Sequence, residues 1–252
     1  MPRARLVLAA LGLAALLPGL AAVIGHMPRF GDHPLPYGDA INRAAPAERH
    51  VTNMVTAVNF DYRSFDTLGE EYMLVAAVSG VLVLMRGRRG ENVSDRPAET
   101  PGRPLPPRSD AVVLASRFFA SVLLLFGIYV TLHAQLTPGG GFQGGAIVGS
   151  GALLLYLGES YATWRRLMPS HLFDAIEAFG ALVFVFAGIV PVLLGGSFFE
   201  NMLPLGQTRA LLSGGLILVV NAGVFLAVMS GFVLLLIEFL EETRATKRND
   251  AE

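Results

Sequence analysis

Several apolar stretches of this chain are long enough to cross a lipid bilayer, and this feature limits its fold more than any other. A bilayer core is spanned by about 20 apolar residues in a helix. The composition agrees, since 53% of the 252 residues are hydrophobic, 15% are charged and the mean hydropathy is +0.53. Soluble domains of this length are seldom so apolar. The sequence therefore predicts an all-α, polytopic membrane protein.

Six transmembrane segments can be placed by their length and flanking charges, at about 5–24, 67–85, 110–133, 142–161, 172–195 and 209–240. If the N-terminus is inside, thirteen Arg and Lys residues outside these segments fall on the inner side and five on the outer side. This distribution follows the positive-inside rule, so both termini are expected in the cytoplasm. The first segment could instead be a cleaved signal peptide, but it is long and lacks a clean A-x-A cleavage site.

A charged and proline-rich stretch divides the chain into two predicted modules. Residues 86–109 combine prolines, arginines and acids, a composition typical of disorder. We therefore expect a two-helix module at 1–85, a disordered cytoplasmic linker at 86–109, a four-helix module at 110–240 and a cytoplasmic tail at 241–252. Within the first module, residues 26–50 are predicted to form an external loop, since they mix charges with prolines and glycines.

A glycine-rich segment lies between the third and fourth predicted helices. Its nine residues include five glycines and a proline, which leave backbone N–H and C=O groups outside any helix. In a bilayer such backbone is tolerated only where protein or water covers it. Because the charge pattern places this segment outside, we predict a tight structural loop in which the amide of Gln143 bonds to free backbone groups. The predicted loop residues are Thr137, Pro138, Gly139, Gly140, Gly141, Gln143, Gly144 and Gly145.

Small residues on the later helices predict close helix packing. Gly141, Gly145 and Gly149 recur every four residues and line one face of the fourth helix, an arrangement that lets two backbones approach each other. Gly188 is expected to act similarly on the fifth helix. Asn221 lies in the middle of the sixth helix, where an interhelical hydrogen bond is a commoner role than ion binding.

Three acids near the start of the second predicted helix are candidates for ion transfer. Asp66, Glu70 and Glu71 lie where this helix enters the membrane, with Arg63 close enough to pair. Ionisable groups inside a membrane cost about 2.5–3.5 kcal/mol each on insertion scales, so those that persist are often functional. Alternatively, these acids only cap the helix and complement its dipole. Glu238, near the end of the last helix, is expected to extend to water.

A histidine and two further acids complete the candidates for an ion or proton pathway. His133 ends the third helix and titrates near neutral pH, although it can equally be an interfacial histidine bonded to loop carbonyls. Asp174 and Glu177 share a face at the start of the fifth helix. They can conduct ions, or they can complement the helix dipole and pair with Arg165 and Arg166. The sequence leaves both alternatives open.

Composition and motifs argue against several other classes of function. The chain has no cysteine, which removes disulfides, thiolate zinc sites and cysteine nucleophiles. A net charge of −1 without a basic, aromatic-rich surface argues against a nucleic-acid partner. The sequence contains no phosphate-binding loop, hydrolase nucleophile motif or set of histidines at metal spacing. We therefore predict no catalytic residue, no cofactor, no metal and no enzyme activity.

The glycine-rich segment resembles the signature of the B subunit of Mrp-type multisubunit sodium/proton antiporters. The family pattern is roughly H-G-H-L-[ST]-P-G-G-G-F-Q-G-G, and the corresponding residues here run from Leu132 to Gly145. Three further stretches look like the family, at 175–182, 201–206 and 212–215, so the resemblance covers about 110–240. Gln135 stands where the family commonly has its second histidine. A proton relay that needs two histidines is therefore not expected in this chain.

The N-terminal module is similar to a different part of the same antiporters. Residues 62–70, Y-R-S-F-D-T-L-G-E, resemble the motif F-R-G-F-D-T-L-G-E. This motif usually lies near the C-terminus of the large A subunit, or in a small subunit of related membrane-bound hydrogenases. Ser64 replaces the usual glycine, and Glu71 adds a second acid. The resemblance implies that Asp66 and Glu70 come first as transport residues, with His133 behind them.

Together the two resemblances imply a subunit of a multisubunit sodium/proton antiporter in the cytoplasmic membrane of a prokaryote. The implied partners are large complex I-like membrane subunits, small membrane subunits, the lipid bilayer, sodium ions and protons. Two alternatives remain open. One is a membrane-arm subunit of an energy-converting hydrogenase or a related redox-driven ion pump, and the other is a structural spacer without an ion path.

Overall fold

The computed structural model describes residues 2–27, 36–89 and 108–249, and within these ranges every regular element is a helix. The elements are α1 (Pro2–Gly25), α2 (Pro36–Glu48), α3 (Met54–Ala57) followed by a π-helical turn (Val58–Tyr62), α4 (Ser64–Arg89), α5 (Asp110–Leu132), α6 (Gly141–Gly158), α7 (Tyr161–Leu167), α8 (Ser170–Leu193) and α9 (Leu216–Asn249).

Five stretches of the described chain are long and apolar enough to cross a membrane: Ser64–Met85, Asp110–Leu132, Gly141–Gly158, Tyr161–Leu193 and Leu216–Leu240. A shorter apolar stretch, Ala10–Gly25, lies in α1. These observations confirm the prediction of an all-α polytopic membrane protein with about six apolar helices. The placement of both termini in the cytoplasm stays a prediction.

The chain divides into two compact units, Met1–Ala40 and Ile41–Glu252. The first unit contains α1, and the side chains from Ala10 to Met27 are all exposed. An apolar surface of this extent is typical of a helix that lipid or another protein chain covers.

Helix α9 forms the centre of the second unit and packs against α4, α5, α6 and α8. Its inward-facing side chains are fully buried along most of its apolar length. They belong to two clusters, one that includes Phe60, Phe184, Phe199, Ile217, Val220 and Val224, and another that includes Val78, Leu82, Trp164, Phe173, Leu234 and Ile237. Helix α4 contributes to the second cluster, so it shares a core with the helices that follow the predicted linker. The predicted module boundaries themselves stay predictions.

The two ends of this second unit differ in structure. One end, which we call the loop end, consists of residues 50–63, 133–140 and 194–215, which hydrogen-bond to each other. The opposite end contains α7 and the first turn of α8. Helix α4 begins at the loop end and α8 begins at the opposite end, so the two run antiparallel where they pack together.

Residues 36–48 form a helix where the sequence predicted an external loop. Ile41 and Ala45 are one turn apart and pack into the core, which stabilises the helix. Pro36 occupies the first helical position, where its missing N–H group has no partner to lose.

The ends of the later helices also differ from the predicted segments. Helix α9 begins at Leu216 rather than near 209, since Gly214 and Gly215 have positive φ angles of 87° and 58°. The short α7 follows α6 as a separate helix, and its Trp164 donates a hydrogen bond to the Ala152 carbonyl at 2.9 Å.

The predicted linker and tail are partly helical. Helix α4 continues to Arg89, and α9 continues to Asn249. The rest of the predicted linker up to residue 107, and the last three residues of the tail, lie outside the described residues.

Candidate functional site

Polar side chains around α3 hold the glycine-rich loop. Asn53 caps α3, and its amide donates to the carbonyls of Ala134 and Thr137 at 2.7 and 2.9 Å. The hydroxyl of Thr56 donates to the same Ala134 carbonyl at 2.8 Å. Buried carbonyl groups need donors, so these bonds fix the turn between α5 and α6.

Asn221 joins α9 to the first turn of α6. Its Oδ1 accepts a hydrogen bond from the Gly141 N–H at 2.9 Å, and its Nδ2 donates to the Ile217 carbonyl at 3.0 Å. The first N–H groups of a helix have no partner within it, so Asn221 caps α6 from a neighbouring helix. Gln143, which was expected to bond to the loop backbone, is exposed on the first turn of α6.

The other predicted loop residues complete the turn before α6. Gly139 has a φ of 144°, which side chains rarely allow, and Gly140 directly precedes the helix. Thr137 and Pro138 are exposed, whereas Gly144 is buried.

The predicted packing glycines face different partners. A Cβ on Gly145 would lie 2.8 Å from Val228 Cβ, and a Cβ on Gly149 would lie 2.7 Å from a Cβ atom of α9. This face of α6 therefore touches α9 directly. Gly188 on α8 faces a loop rather than a helix, since a Cβ there would lie 2.7 Å from the ring of Phe198.

His133 and Gln135 make local contacts at the end of α5. The Nδ1 atom of His133 lies 3.0 Å from the Tyr129 carbonyl, and the two rings are 4.0 Å apart. Gln135 is fully buried, and its amide donates to the carbonyls of Leu132 and Leu211. Where the family commonly has a second histidine, this chain has an amide that joins two loops.

Asp61 organises the loop end. Its carboxylate accepts hydrogen bonds from Arg49 Nε at 2.5 Å and from Asn201 Nδ2 at 2.8 Å, and its side chain is 5% exposed. Asn201 also donates to the Gly214 carbonyl and accepts from the Leu216 N–H, which caps α9. Although burial opposes the charge of Arg49, the hydrogen bond and charge of Asp61 raise the pKa of Arg49 above its usual value.

Tyr62 ties the π-helical turn to α2. Its hydroxyl donates to Glu48 Oε2 at 2.7 Å, and the guanidinium of Arg49 lies 5.2 Å from the centre of its ring. Burial, followed by the hydrogen bond to Glu48, raises the pKa of Tyr62 to about 12. The phenol therefore stays neutral over the whole range in which an ordinary tyrosine begins to ionise.

Two of the acids named first from the sequence lie on the outer surface of α4. Asp66 pairs with Arg63, and their side chains are 49% and 60% exposed. Glu70 is also exposed, and so are the neighbouring apolar side chains of Phe65 and Met73. Asp66 and Glu70 therefore face away from the core of this chain.

Glu71 points in the opposite direction, into the helix bundle. Its side chain is 0% exposed, and neither carboxyl oxygen has a hydrogen-bond partner within the described part of the chain. Thr67 and Val78 lie on the same buried face of α4. A buried carboxyl without partners is costly, so it calls for an explanation beyond packing.

Glu177 on α8 is the counterpart of Glu71. It is 6% exposed, and its Oε1 also lacks a partner among the described residues. A Cβ on Gly231 would lie 3.2 Å from this oxygen and 3.1 Å from Val78 Cγ2, so the carboxyl lies where α4, α8 and α9 meet. Asp174, one turn earlier on α8, is half-buried and interacts electrostatically with Glu177.

This pair of acids can perform ion chemistry within the bundle. A carboxyl in apolar surroundings carries a charge only at a large energetic cost. Each of these acids can therefore take up and release a proton, or pair with a cation. Of the sequence candidates, the structure buries Glu71 and Glu177 inside the bundle and half-buries Asp174, whereas Asp66 and Glu70 are exposed and His133 lies at the end of α5.

Sequence reasoning missed the residues that hold the loop end, namely Asn53, Thr56, Asp61 and Asn201. No local motif marks them, although Asn201 lies in one of the stretches that resemble the family. Glu238 was expected to extend to water, but it is fully buried within the bundle. Glu238 lies four residues after Leu234, on the same inward face of α9, and this spacing could have indicated its burial.

Comparison with known proteins identifies the family of the four-helix region. Residues 111–234 match the sequence model of a family described as a domain related to the MnhB subunit of Na+/H+ antiporters. Subunits B of the Na+/H+ antiporters of Alkalihalophilus pseudofirmus and Bacillus subtilis are 34% and 33% identical over 80 and 87 residues. The alignments cover 32% and 34% of this chain, and 55% and 60% of the two relatives. The match therefore spans little more than half of each subunit.

A longer similarity extends beyond that region. An uncharacterized protein of Methanocaldococcus jannaschii is 30% identical over 200 residues, which cover 72% of this chain and 74% of the relative. A chain of the membrane-bound sulfane sulfur reductase, an archaeal respiratory membrane complex, matches with a TM-score of 0.71 and 28% identity, covering 93% of this chain and 97% of the other. A chain of the Mrp complex from Dietzia sp. DQ12-45-1b matches with the same TM-score and identity, covering 93% of this chain and 25% of the other. Sequence and fold together place this chain in the family of MnhB-related membrane subunits.

Proposed function

We propose that this chain is a membrane subunit of a multisubunit sodium/proton antiporter in a prokaryotic cytoplasmic membrane, and that it takes part in ion translocation. Its family and its fold likeness to a chain of the Mrp complex support the assignment to an antiporter. The single observation that carries the second part is the burial of two acids, since both carboxyl oxygens of Glu71 and Oε1 of Glu177 lack partners among the described residues. Ionisable groups inside a membrane are costly and commonly mark ion pathways.

Partner subunits would cover the apolar surfaces that this chain exposes. Helix α4 presents Phe65 and Met73 at 69% and 67% exposure, next to the exposed acids Asp66 and Glu70. A carboxyl at a lipid-facing position is unfavourable, so this face of α4 suits contact with another membrane subunit. In this arrangement Asp66 and Glu70 would contribute to a pathway between subunits, while Glu71 lies within this chain.

Sodium-driven proton movement in inverted membrane vesicles tests the proposal. Four preparations are compared: the complex with the native chain, the complex without this chain, and the complex with either Glu71→Gln or Glu177→Gln. We expect each buried variant to assemble and to lose most of the exchange, because glutamine keeps the size of the side chain but cannot ionise. Glu200→Gln, at an exposed position in the loop after α8, is the matched control and should retain exchange.

The outcome separates transport from a purely structural role. If complexes with Glu71→Gln and Glu177→Gln assemble and exchange ions at the native rate, the chain acts as a spacer. If removal of the whole chain leaves exchange unchanged, the assignment to an antiporter is wrong.

A redox-driven ion pump is a second candidate for the host complex. One observation favours it, since the match to the sulfane sulfur reductase covers 97% of that chain, compared with 25% of the chain from the Mrp complex. Affinity purification of the tagged chain from mild detergent distinguishes the two hosts. An iron–sulfur absorption spectrum in the purified complex would indicate the redox pump, whereas antiporter-like subunits without such a spectrum would indicate the antiporter.

A further inference from the structure

Glu71 lies in the middle of the buried face of α4. The buried residues of this helix are spaced by three, four or seven positions, which places them on one stripe. The stripe contains Ser64, Thr67, Glu71, Val78 and Leu82, and none of them is more than 7% exposed. Both carboxyl oxygens of Glu71 lack a hydrogen-bond partner within the described part of the chain. The bundle therefore encloses this carboxyl completely, while no described group bonds to it.

The register of α4 against α9 shows what surrounds the Glu71 carboxyl. Both helices begin at the loop end and pack together, so they run parallel. A Cβ on Gly231 of α9 would lie 3.1 Å from Val78 Cγ2, which fixes the register of the two helices. Seven residues earlier on each helix, the same register pairs Glu71 with Val224, whose side chain is 0% exposed. The residues four positions before and after Val224 are also buried valines of the same core cluster. The surface of α9 that faces Glu71 is therefore hydrocarbon.

The helices around Glu71 offer no basic side chain that could neutralise it. Residues 64–85 of α4, 170–193 of α8 and 216–240 of α9 contain no arginine or lysine. The polar side chain of α9 closest to this level in sequence is Asn221, and both its Oδ1 and its Nδ2 already bond to backbone groups. An ion pair inside this part of the bundle is therefore not available to Glu71.

The other ionisable groups near α4 are bonded elsewhere or lie at other levels. On the elements packed against α4, the described ones are Asp61, Tyr62, His171, Asp174, Glu177 and Glu238. Asp61 and Tyr62 are hydrogen-bonded to other side chains. A Cβ on Gly231 would lie 3.2 Å from Glu177 Oε1 and 3.1 Å from Val78 Cγ2, which places that oxygen about two turns of α4 beyond Glu71. The remaining three lie further toward the opposite end, and the acids Asp66 and Glu70 of α4 itself are exposed. Glu71 is therefore a site by itself.

We propose that Glu71 is a proton-binding site inside the bundle, and that α4 packs against α9 with this side chain as a neutral acid. The inference deepens the proposed antiporter function, on which it rests for its role in transport. The Glu71 carboxylate takes one proton from water and becomes a neutral carboxyl, and release returns that proton to water and leaves the carboxylate. Because a bare carboxylate is costly in apolar surroundings, water must enter the contact between α4 and α9 when the proton leaves.

The surroundings of Glu71 suit a proton better than a sodium ion. Hard cations are bound in proteins by several oxygen ligands at once. On the buried stripe of α4, the hydroxyl within one turn of Glu71 is that of Thr67, and the facing residues of α9 are valines. A proton needs a single carboxyl oxygen, and its binding removes the charge that is costly in this core.

The loop end is the side from which Glu71 exchanges its proton. Glu71 lies seven residues after the first residue of α4, which is about 10 Å along the helix. Ser64 and Thr67, between Glu71 and the loop end, are polar, whereas Val78 and Leu82 on the far side are apolar. The shorter and more polar route for water therefore runs from Glu71 to the loop end.

Infrared spectroscopy of the full chain in lipid vesicles tests the inference directly. Protonated carboxyl groups have a C=O stretching band that carboxylates lack. We expect this band at neutral pH to lose the intensity of one carboxyl in Glu71→Gln. Glu70→Gln, the exposed neighbour of Glu71, is the matched control and should leave the band unchanged. Glu177→Gln should leave the Glu71 component in place, because the two acids are separate sites. Added sodium should not alter that component.

Two results would overturn the proton assignment. One is a band that is as intense in Glu71→Gln as in Glu70→Gln, and the other is a Glu71 component that sodium removes, which would indicate a cation site. If Glu71→Gln does not fold, Glu71→Asp replaces it, since aspartate keeps the acid but moves the carboxyl. An unshifted band in Glu71→Asp would then reject the site.

The pH dependence of stability gives a second readout. An ionised Glu71 cannot stay buried without cost, so the native chain should lose stability from neutral to mildly alkaline pH, below the range in which tyrosines ionise. Glu71→Gln should lose less over this range, and Glu70→Gln should behave like the native chain. Equal losses in both variants would contradict the inference.

Sodium-driven exchange in vesicles separates this inference from the proposed function. If Glu71→Gln removes its infrared component but the complex still exchanges ions at the native rate, Glu71 binds a proton without a role in transport. If exchange is lost while the band is unchanged, Glu71 takes part in transport but not as a neutral acid, and the proton assignment fails.

Discussion

Single residues at the loop end show how burial changes the contribution of a charge pair to stability. Asp61 and Asp66 lie five residues apart, and each pairs with an arginine. Asp61 is 5% exposed and also accepts a hydrogen bond from Asn201, whereas Asp66 is 49% exposed. Buried charge pairs are costly to break because one partner is left unsatisfied, while exposed pairs contribute little.

Alanine substitutions at these two positions should therefore differ in stability. We expect Asp61→Ala to lower the free energy of unfolding by about 1–3 kcal/mol, since it leaves Arg49 and Asn201 without their acceptor. The matched Asp66→Ala should cost about 0–1 kcal/mol. Denaturant unfolding of the full chain in detergent measures both. Equal losses would mean that the Asp61 contacts do not organise the loop end.

Tyr62 should make the stability of the chain sensitive to alkaline pH. Its pKa is raised to about 12 in the folded chain, compared with about 10 in an unfolded one. The folded state therefore binds the proton more tightly than the unfolded state between these values. The stabilising contribution is complete below about pH 10 and is lost as the pH rises to about 12.

Ultraviolet titration of the phenolate measures this effect, with Tyr62→Phe as the matched variant. The native-minus-variant difference should show one phenol that ionises near pH 12, and Tyr62→Phe should reduce the loss of stability at alkaline pH. A difference spectrum with an ordinary midpoint would contradict the bond from Tyr62 to Glu48.

At the scale of helices, glycine faces determine how closely α6 approaches its neighbours. A Cβ on Gly145 would lie 2.8 Å from Val228 Cβ and 2.9 Å from backbone atoms of α9. A Cβ on Gly151 would lie 3.5 Å or more from its nearest neighbours on α5, which is ordinary contact. The two positions therefore separate the effect of close packing from the general effect of glycine in a helix.

We expect Gly145→Ala to destabilise the bundle by about 1–3 kcal/mol, because α6 and α9 must move apart. Gly151→Ala, the matched control on the same helix, should be neutral or stabilising by up to about 1 kcal/mol, since alanine favours helix. The thermal unfolding midpoint of the full chain in detergent compares them. A smaller loss of stability at Gly145 than at Gly151 would show that α6 and α9 do not pack closely at Gly145.

At the scale of the whole molecule, the charge pattern and the fold together predict an orientation. The loop end carries few basic residues, and the opposite end contains Arg165 and Arg166 in α7. The positive-inside rule places the opposite end in the cytoplasm. The start of α4 would then face outside, and the start of α8 would face inside.

Cysteine labelling tests this orientation cleanly, because the native chain contains no cysteine. Thr137→Cys at the loop end and Ala162→Cys on α7 are both exposed positions. A membrane-impermeant maleimide should label Thr137→Cys in intact cells and Ala162→Cys only after the cells are opened. The reverse pattern would show that the loop end faces the cytoplasm.

Much of the architecture could be predicted from local sequence. The all-α fold class and the approximate number of membrane helices follow from the lengths of the apolar segments, because a bilayer requires about 20 apolar residues for each span. The family followed from the segment between Leu132 and Gly145, whose glycines permit the tight turn and the contact with α9. Helix α2 was missed, since its stability comes from two side chains, Ile41 and Ala45, that pack against distant residues.

The sequence by itself determined that this chain is a bundle of membrane helices with acids near the starts of two of them. Hydropathy and charge are properties of the residues, so they need no knowledge of neighbours. Only the tertiary structure decided which acids are buried. Glu70 and Glu71 are adjacent, and the rotation of α4 against α8 and α9 exposes one and buries the other. That rotation is set by packing across the bundle, which no local pattern records.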